Sequence, residues 1–205
     1  MPDFPVNPKK LALVNVDLQN VFVENTPLAS PDGLDVVERV NRLSAACRKA
    51  GILVVHTAHV TRPDGSNAGV MGEIFPPVRE GVIAAGSFPA TLHKNLVIEK
   101  DDIRLDKPRF GAFHATDLEL ILRARGVDGI IVTGIATDVC VDLTVREANV
   151  RDFRVFLTSD GTGTADRNGI PRQDIQKATL ATLGFSFAQV VSVDEMIAKI
   201  EGAKA

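Results

Sequence analysis

The stretch "GIIVTGIATDVCV", residues 129–141, changes character at its centre. Residues 129–135 are mostly β-branched and apolar, which is typical of a strand buried on both faces of a sheet. The polar pair Thr137 and Asp138 follows, and beyond Cys140 apolar residues recur at helical spacing. A buried strand that leads into a helix is the repeating unit of parallel α/β sheets.

The same alternation of strand and helix patterns runs along the whole chain. The predicted strands are residues 11–16, 52–58, 95–99, 129–135, 154–159 and 188–193. The predicted helices are residues 33–51, 115–127, 141–153, 170–185 and 194–203. Because parallel strands need crossover connections that cover both faces, the pattern predicts a doubly wound α/β fold. We expect residues 1–205 to form a single domain.

Local signals mark several element boundaries. Basic residues followed by Gly51 and Gly126 are typical of helix C-termini, and Ser192 or Asp194 could cap the last helix. Residues 60–94 show no clear period. A stretch of that length in a compact domain is typical of a lid, a binding loop or an oligomer contact.

Composition and charge argue against several classes of function. A formal charge of -3 offers no basic patch for nucleic acid or an anionic membrane, so a small neutral or polar ligand is favoured. No stretch approaches the roughly 20 apolar residues of a membrane span, and the first residues lack a signal-peptide core. We therefore expect a cytoplasmic protein. Its two cysteines, Cys47 and Cys140, are expected to be free thiols.

Three reactive side chains lie near the carboxyl ends of predicted strands, where open α/β sheets bind ligands. Asp17 ends the first strand, Lys107 lies in the connection after the third, and Cys140 follows the fourth. A helix start and a neighbouring cation both lower a thiol pKa, so we expect a stabilised thiolate at Cys140. Asp17 could accept the thiol proton, and backbone N–H groups at the helix start could bind an oxyanion.

Other residues have simpler interpretations. Cys47 falls on the apolar stripe of a predicted helix, which is typical of a buried small hydrophobe. His56 and His59 form an H-x-x-H pattern, but on a strand this spacing places them on opposite faces. No third ligand is evident, although His93 and His114 are present, so no metal site is predicted. The loop arginines that could bind a substrate carboxylate are Arg62, Arg109 and Arg167.

The segments "VDLQNVF" around Asp17, "DKPRFGAF" around Lys107 and "GIATDVCV" around Cys140 resemble the Asp–Lys–Cys motifs of the isochorismatase-like cysteine hydrolase superfamily. The resemblance covers nearly the whole chain. It implies that Cys140 attacks an amide carbonyl to form a thioester, that Asp17 shuttles the proton, and that Lys107 holds both residues in register. It also implies a six-stranded parallel sheet and assembly as a homo-oligomer, either a dimer or a tetramer.

The resemblance implies further details of the site. It places a cis peptide between Ile135 and Ala136, which turns the Ala136 N–H towards the oxyanion beside that of Cys140. Residues that match motif positions near the pocket, with packing or substrate-lining roles, are Gln19, Phe22 and Phe113.

Differences within the superfamily narrow the expected activity. The isochorismate hydrolases commonly lack the cysteine, so Cys140 favours an amidase. Nicotinamidases place a D-x-H zinc motif after the second strand, and "TAHVTRPDGSN" lacks that aspartate, so we expect no metal and no cofactor. "HVTRPDGSN" is similar to the branch of N-carbamoylsarcosine amidase, biuret hydrolase and ureidoacrylate amidohydrolase.

We therefore predict a metal-independent amidohydrolase that releases ammonia from a small ureido or carbamoyl-type amide. The alternatives are a vinyl-ether hydrolase with Asp17 as general acid, a nicotinamidase-like amidase, and a thiol redox sensor or non-catalytic binding protein.

Overall fold

The core of the protein is a six-stranded sheet, and the computed structural model describes residues 3–203. The strands are β1 (Leu11–Val16), β2 (Leu53–His59), β3 (Ile103–Lys107), β4 (Gly129–Ile135), β5 (Arg154–Gly163) and β6 (Gln189–Val191). All neighbours pair in parallel, in the order β3-β2-β1-β4-β5-β6. The strand order reverses between β1 and β4, which makes the carboxyl ends of these two strands the expected ligand site.

Helices cover both faces of the sheet, which confirms the doubly wound α/β prediction. The helices are α1 (Asn20–Val23), α2 (Gly33–Lys49), α3 (Met71–Ile74), α4 (Pro76–Arg79), α5 (Leu118–Ala124), α6 (Asp142–Asn149), α7 (Arg172–Ser186) and α8 (Val193–Gly202). One buried cluster joins the sheet to α2 and α8, and another joins its opposite face to α5, α6 and α7. Within residues 3–203, no helix has the length and apolar character needed to cross a membrane.

The third strand differs from the prediction. Residues 95–99 form no strand, and β3 lies further along the chain. Side chains of α2 bind the backbone of residues 95–99 instead: Asn41 pairs with the Asn95 carbonyl and the Val97 N–H, and Arg48 donates to the Val97 carbonyl. β3 was not predicted because it is an edge strand in which exposed charged residues alternate with the buried ones.

The predicted signals at three helix ends are confirmed. Ser192 caps α8 in a capping box with Glu195, and Gly51 and Gly126 both adopt positive φ just beyond helix ends. Cys47 is fully buried on the core-facing side of α2, as expected of a small hydrophobe.

The segment 60–94 is ordered around the short helices α3 and α4. Its apolar side chains Met71, Val78 and Ile83 pack with Val21 of α1 in a separate buried cluster. Thr61 forms a bridge with Ala84, which closes the segment into a compact unit. The segment therefore packs against α1, beside the carboxyl end of β1.

Gly134 permits the close approach of β4 to β1 at this edge. Its φ is 114°, and a Cβ atom here would lie 2.0 Å from the Val16 carbonyl oxygen. We predict that Gly134→Ala lowers the free energy of unfolding by more than about 3 kcal/mol, because the clash is with backbone that cannot move aside. Urea denaturation measures this, with Gly202→Ala as control, since a Cβ at Gly202 meets no atom within 4 Å. Equal stability of the two variants would contradict the prediction.

Candidate active site

Asp17 lies directly after β1 with its side chain fully buried. Its φ of 51° ends the strand in the left-handed region, which Asp tolerates better than most residues. The Asp17 N–H donates to the Thr57 carbonyl at 3.2 Å, and Asp17 Oδ1 accepts a hydrogen bond of 2.8 Å from Thr57 Oγ1. Thr57 of β2 therefore fixes both the backbone and one carboxylate oxygen of Asp17.

Lys107 is the last residue of β3, and not part of the connection after the third strand as predicted. Its Nζ atom lies 2.7 Å from Asp17 Oδ2, and both side chains have no exposed surface. Nζ also donates to the carbonyls of Arg109 at 3.0 Å and Phe110 at 2.8 Å. The ammonium is therefore enclosed by one paired carboxylate and two carbonyl acceptors, which hold Lys107 in place.

Cys140 lies in a single π-helical turn, Thr137–Val141, that joins β4 to α6. Its side chain is 5% exposed. The Cys140 sulfur, a ligand nitrogen of His59 and a carboxylate oxygen of Asp17 all lie within 4.8 Å of one another. The structure therefore brings the predicted residues Asp17, Lys107 and Cys140 into one buried cluster, together with His59.

The charge state of this cluster differs from the prediction. Burial raises the pKa of the Cys140 thiol; Lys107 opposes this effect and Asp17 adds to it. Burial disfavours the charge on Lys107, but Asp17 and Cys140 outweigh it, so the pKa of Lys107 is raised. The resting site thus holds an ammonium paired with Asp17 beside a neutral thiol, and the thiolate predicted from the sequence is not the resting state.

The backbone next to Cys140 presents a free donor. The peptide bond between Ile135 and Ala136 is cis. The Ala136 carbonyl accepts hydrogen bonds of 3.1 Å from the N–H groups of Val139 and Val141. Outside the regular helix and strand ladders of residues 3–203, the Ala136 N–H donates to no backbone carbonyl. Ala136 and Cys140 both line the same cavity, so this N–H is available to a ligand there.

His59 is a member of the site that the sequence did not predict. Burial lowers its pKa to about 4, Lys107 adds to this, and Asp17 opposes it, so the imidazole is neutral. Its Nε2 atom is buried without a partner among the described residues. His56 points to the other face of β2, where it contacts Asn15 and Asp102, as the strand spacing predicted. The feature of the sequence that could have identified His59 is its position at the end of the second strand.

Gln19 and Phe113 do not line the cavity. Gln19 is fully buried, and its amide bonds both the N–H and the carbonyl of His59, so it positions that residue. Phe113 packs on Phe153 in the core beneath α5 and α6. Phe22, the remaining candidate, does line the cavity.

The cavity beside Cys140 has a volume of about 270 Å³. Side chains of the segment 60–94 form much of its wall, so this segment lines the site within the same chain. Arg167 also lines it, ion-paired with Asp138 at 2.7 Å. Arg109 instead donates to the carbonyls of Asn67 and Pro108, and Arg62 pairs with Asp64 on the surface, so neither is a cavity residue.

Comparison with known proteins agrees with this geometry. A model of the isochorismatase domain family matches residues 11–195. The chain belongs to the isochorismatase-like cysteine hydrolase superfamily. Ureidoacrylate amidohydrolase RutB of Methylorubrum extorquens is 34% identical over 172 residues, which cover 75% of this chain and 69% of that protein. Nicotinamidase 3 of Arabidopsis thaliana is 30% identical over 192 residues, covering 93% and 88%.

A solved structure is similar over almost the full length. The crystal structure of a cysteine hydrolase from Pseudomonas syringae pv. phaseolicola 1448A superimposes with a TM-score of 0.95 and 34% identity. The match covers 98% of this chain and 97% of that one.

The donor set of this isochorismatase-like site includes groups that bind zinc. Carboxylate, imidazole and sulfur ligands from Asp17, His59 and Cys140 lie close enough to share an ion. However, the Lys107 ammonium lies 2.7 Å from Asp17 Oδ2 in the same buried space and already neutralises the carboxylate. A divalent cation bound here would lie close to the Lys107 ammonium, and Asp17 would have no charge left to balance that of the ion. The residues therefore do not fit a resident metal ion.

Neutral His59 makes the stability of the fold depend on pH. Its pKa is about 4 in the folded state against 6.5 for the free group, so the unfolded chain binds a proton that the folded chain excludes. The contribution of neutral His59 to the free energy of unfolding is fully present above pH 6.5. It is lost as the pH drops towards 4, by on the order of 3 kcal/mol. Buried His56 adds to this loss, since burial also lowers its pKa.

We predict that His59→Asn flattens the decline in unfolding free energy between these two pH values, measured by urea denaturation. The matched control is His114→Asn, because His114 is exposed. A decline of the same steepness in His59→Asn and in the wild type would show that His59 is not the buried neutral group described.

Proposed function

We propose that the chain is a single-domain, metal-independent cysteine amidohydrolase that cleaves the C–N bond of a small amide. The observation that carries this proposal is the buried Asp17–Lys107 pair, 2.7 Å across, next to the Cys140 thiol at the base of a cavity. Ureidoacrylate amidohydrolase RutB supports a ureido or carbamoyl-type amide as the substrate class.

In the first half-reaction the Cys140 sulfur attacks the amide carbonyl carbon. Asp17 accepts the thiol proton, since a neutral thiol is a poor nucleophile and Asp17 is the nearby base. The carbonyl oxygen gains negative charge and accepts hydrogen bonds from the Ala136 and Cys140 N–H groups. The C–N bond then breaks, the nitrogen takes the proton from Asp17, and ammonia leaves behind a thioester.

In the second half-reaction water attacks the thioester carbonyl. Asp17 accepts a proton from this water, the oxyanion forms again at the same two N–H groups, and the C–S bond breaks. The Cys140 sulfur recovers its proton from Asp17 and the acid product leaves. Lys107 keeps Asp17 in place through both steps and balances its charge.

A nicotinamidase-type reaction is the second candidate, because Nicotinamidase 3 of Arabidopsis thaliana is similar over most of the chain. Its chemistry would use the same thioester steps. A vinyl-ether hydrolysis without the thiol is less well supported, because Cys140 lines the cavity beside Asp17.

We predict that Cys140→Ala lowers kcat/KM for amide hydrolysis by at least about 10³-fold, because no group remains to form the thioester. Asp17→Asn should lower it by about 10²- to 10⁴-fold, through loss of the proton acceptor. Ammonia release from biuret, N-carbamoylsarcosine, ureidoacrylate, maleamate and nicotinamide, each with and without a chelator, measures these effects.

The matched control is Cys47→Ala, which removes the other thiol from the core and should keep the turnover number. Substantial activity in Cys140→Ala would overturn the proposed mechanism. Loss of activity on chelation would overturn metal independence.

A further inference from the structure

The wall of the cavity is almost entirely apolar. Its polar lining residues are His59, Cys140 and Arg167. The apolar side chains that the segment 60–94 contributes include Ile74, Phe75, Val78, Val82 and Ile83, joined by Phe110 after β3. A ligand bound at Cys140 therefore has hydrocarbon surface around most of its body.

The cationic side chains near the cavity are already paired with carboxylates of the protein. Arg167 pairs through Nε with Asp138 Oδ2 at 2.7 Å, so its charge is compensated. Lys107 pairs with Asp17 and donates to two backbone carbonyls. Within the described part of the chain, Arg167 is thus the one cationic side chain that lines the cavity, and its charge is already balanced by Asp138. His59 is neutral and supplies only a polar, uncharged contact.

We propose that the site selects uncharged amides or ureas that carry a short hydrocarbon substituent, in preference to substrates with a carboxylate. Moving a carboxylate from water into an apolar site without a cation costs far more than moving a hydrocarbon group, which gains from burial. This inference rests on the proposed amidohydrolase function and narrows its substrate class.

The size of the cavity sets the length of the substituent. A volume of about 270 Å³ lies below the range of roughly 300–1,000 Å³ that holds drug-sized ligands, so the substrate is small. Each added methylene in such a pocket changes kcat/KM by about 10-fold or more until the space is filled. Ile74 lines the cavity and is 78% exposed, so apolar surface continues from the cavity to the outside of the protein.

The test compares neutral and charged substrates of similar size in both chemistries: pentanamide against succinamate, and propylurea against ureidoacetate. Ammonia release from wild type should give kcat/KM values at least about 10-fold higher for the neutral member of each pair. In the series propanamide, butanamide, pentanamide, the value should rise by about 10-fold per methylene until the cavity is full. Equal or higher values for the charged members would overturn the inference while leaving the amidohydrolase function intact.

A second measurement tests the preference of the site for apolar over charged ligands, even if no amide is hydrolysed. The rates at which iodoacetate and N-butyl iodoacetamide alkylate Cys140 are followed by peptide mass spectrometry and divided by their rates with glutathione. A normalised rate about 10-fold or more higher for the butyl reagent supports an apolar site, whatever happens to the proposed function. A higher normalised rate for iodoacetate would overturn it.

Phe75→Ala tests whether the preference for the butyl reagent arises in the cavity, because Phe75 lines the cavity. Phe75 is 37% exposed, so we expect the fold to tolerate the loss of its side chain. The variant should lose about 10-fold of the preference for the butyl reagent. Leu120→Ala on α5 is the matched control, since Leu120 is 70% exposed and not a lining residue, and it should keep the full preference. Equal behaviour of the two variants would overturn the assignment to this wall.

Discussion

The ion pair between Asp17 and Lys107 is the constraint on which the site depends. Both side chains are fully buried, and the effective cost of burying an ion is several kcal/mol even after relaxation. Pairing at 2.7 Å, a hydroxyl from Thr57 and two backbone carbonyls offset this cost. Because β2 lies between β1 and β3, the pair also joins strand ends that are not neighbours. The groups proposed to perform the chemistry therefore also hold the carboxyl ends of β1 and β3 in place.

The pair explains why a neutral thiol suits this position. Burial and Asp17 raise the pKa of the Cys140 thiol and outweigh Lys107, which favours a thiolate, so the resting thiol is neutral. Gln19 fixes His59, which completes an uncharged wall next to the pair. The helices of the segment 60–94 then enclose the site with hydrocarbon, which strengthens electrostatic interactions inside it.

The sequence was sufficient for the fold class and for the gathering of Asp17, Lys107 and Cys140, because strand ends of a parallel sheet meet at one edge. It was insufficient where tertiary contacts override local pattern. Residues 95–99 are apolar enough for a strand, yet side chains of α2 take their backbone hydrogen bonds. The apolar wall of the cavity comes from a segment without periodicity, so only its packing reveals it. The oligomeric state stays a prediction.

The protonation state of Cys140 before substrate binds tests the central claim most directly. The chain has no tryptophan or tyrosine, so the ultraviolet absorbance of a thiolate is not masked, and burial raises the pKa of Cys47 to about 12. The difference in absorbance between wild type and Cys140→Ala is followed as the pH rises from acid to alkaline. We predict no thiolate signal at neutral pH. A thiolate fully formed below neutral pH would contradict the account, because Asp17 would then have no proton to accept.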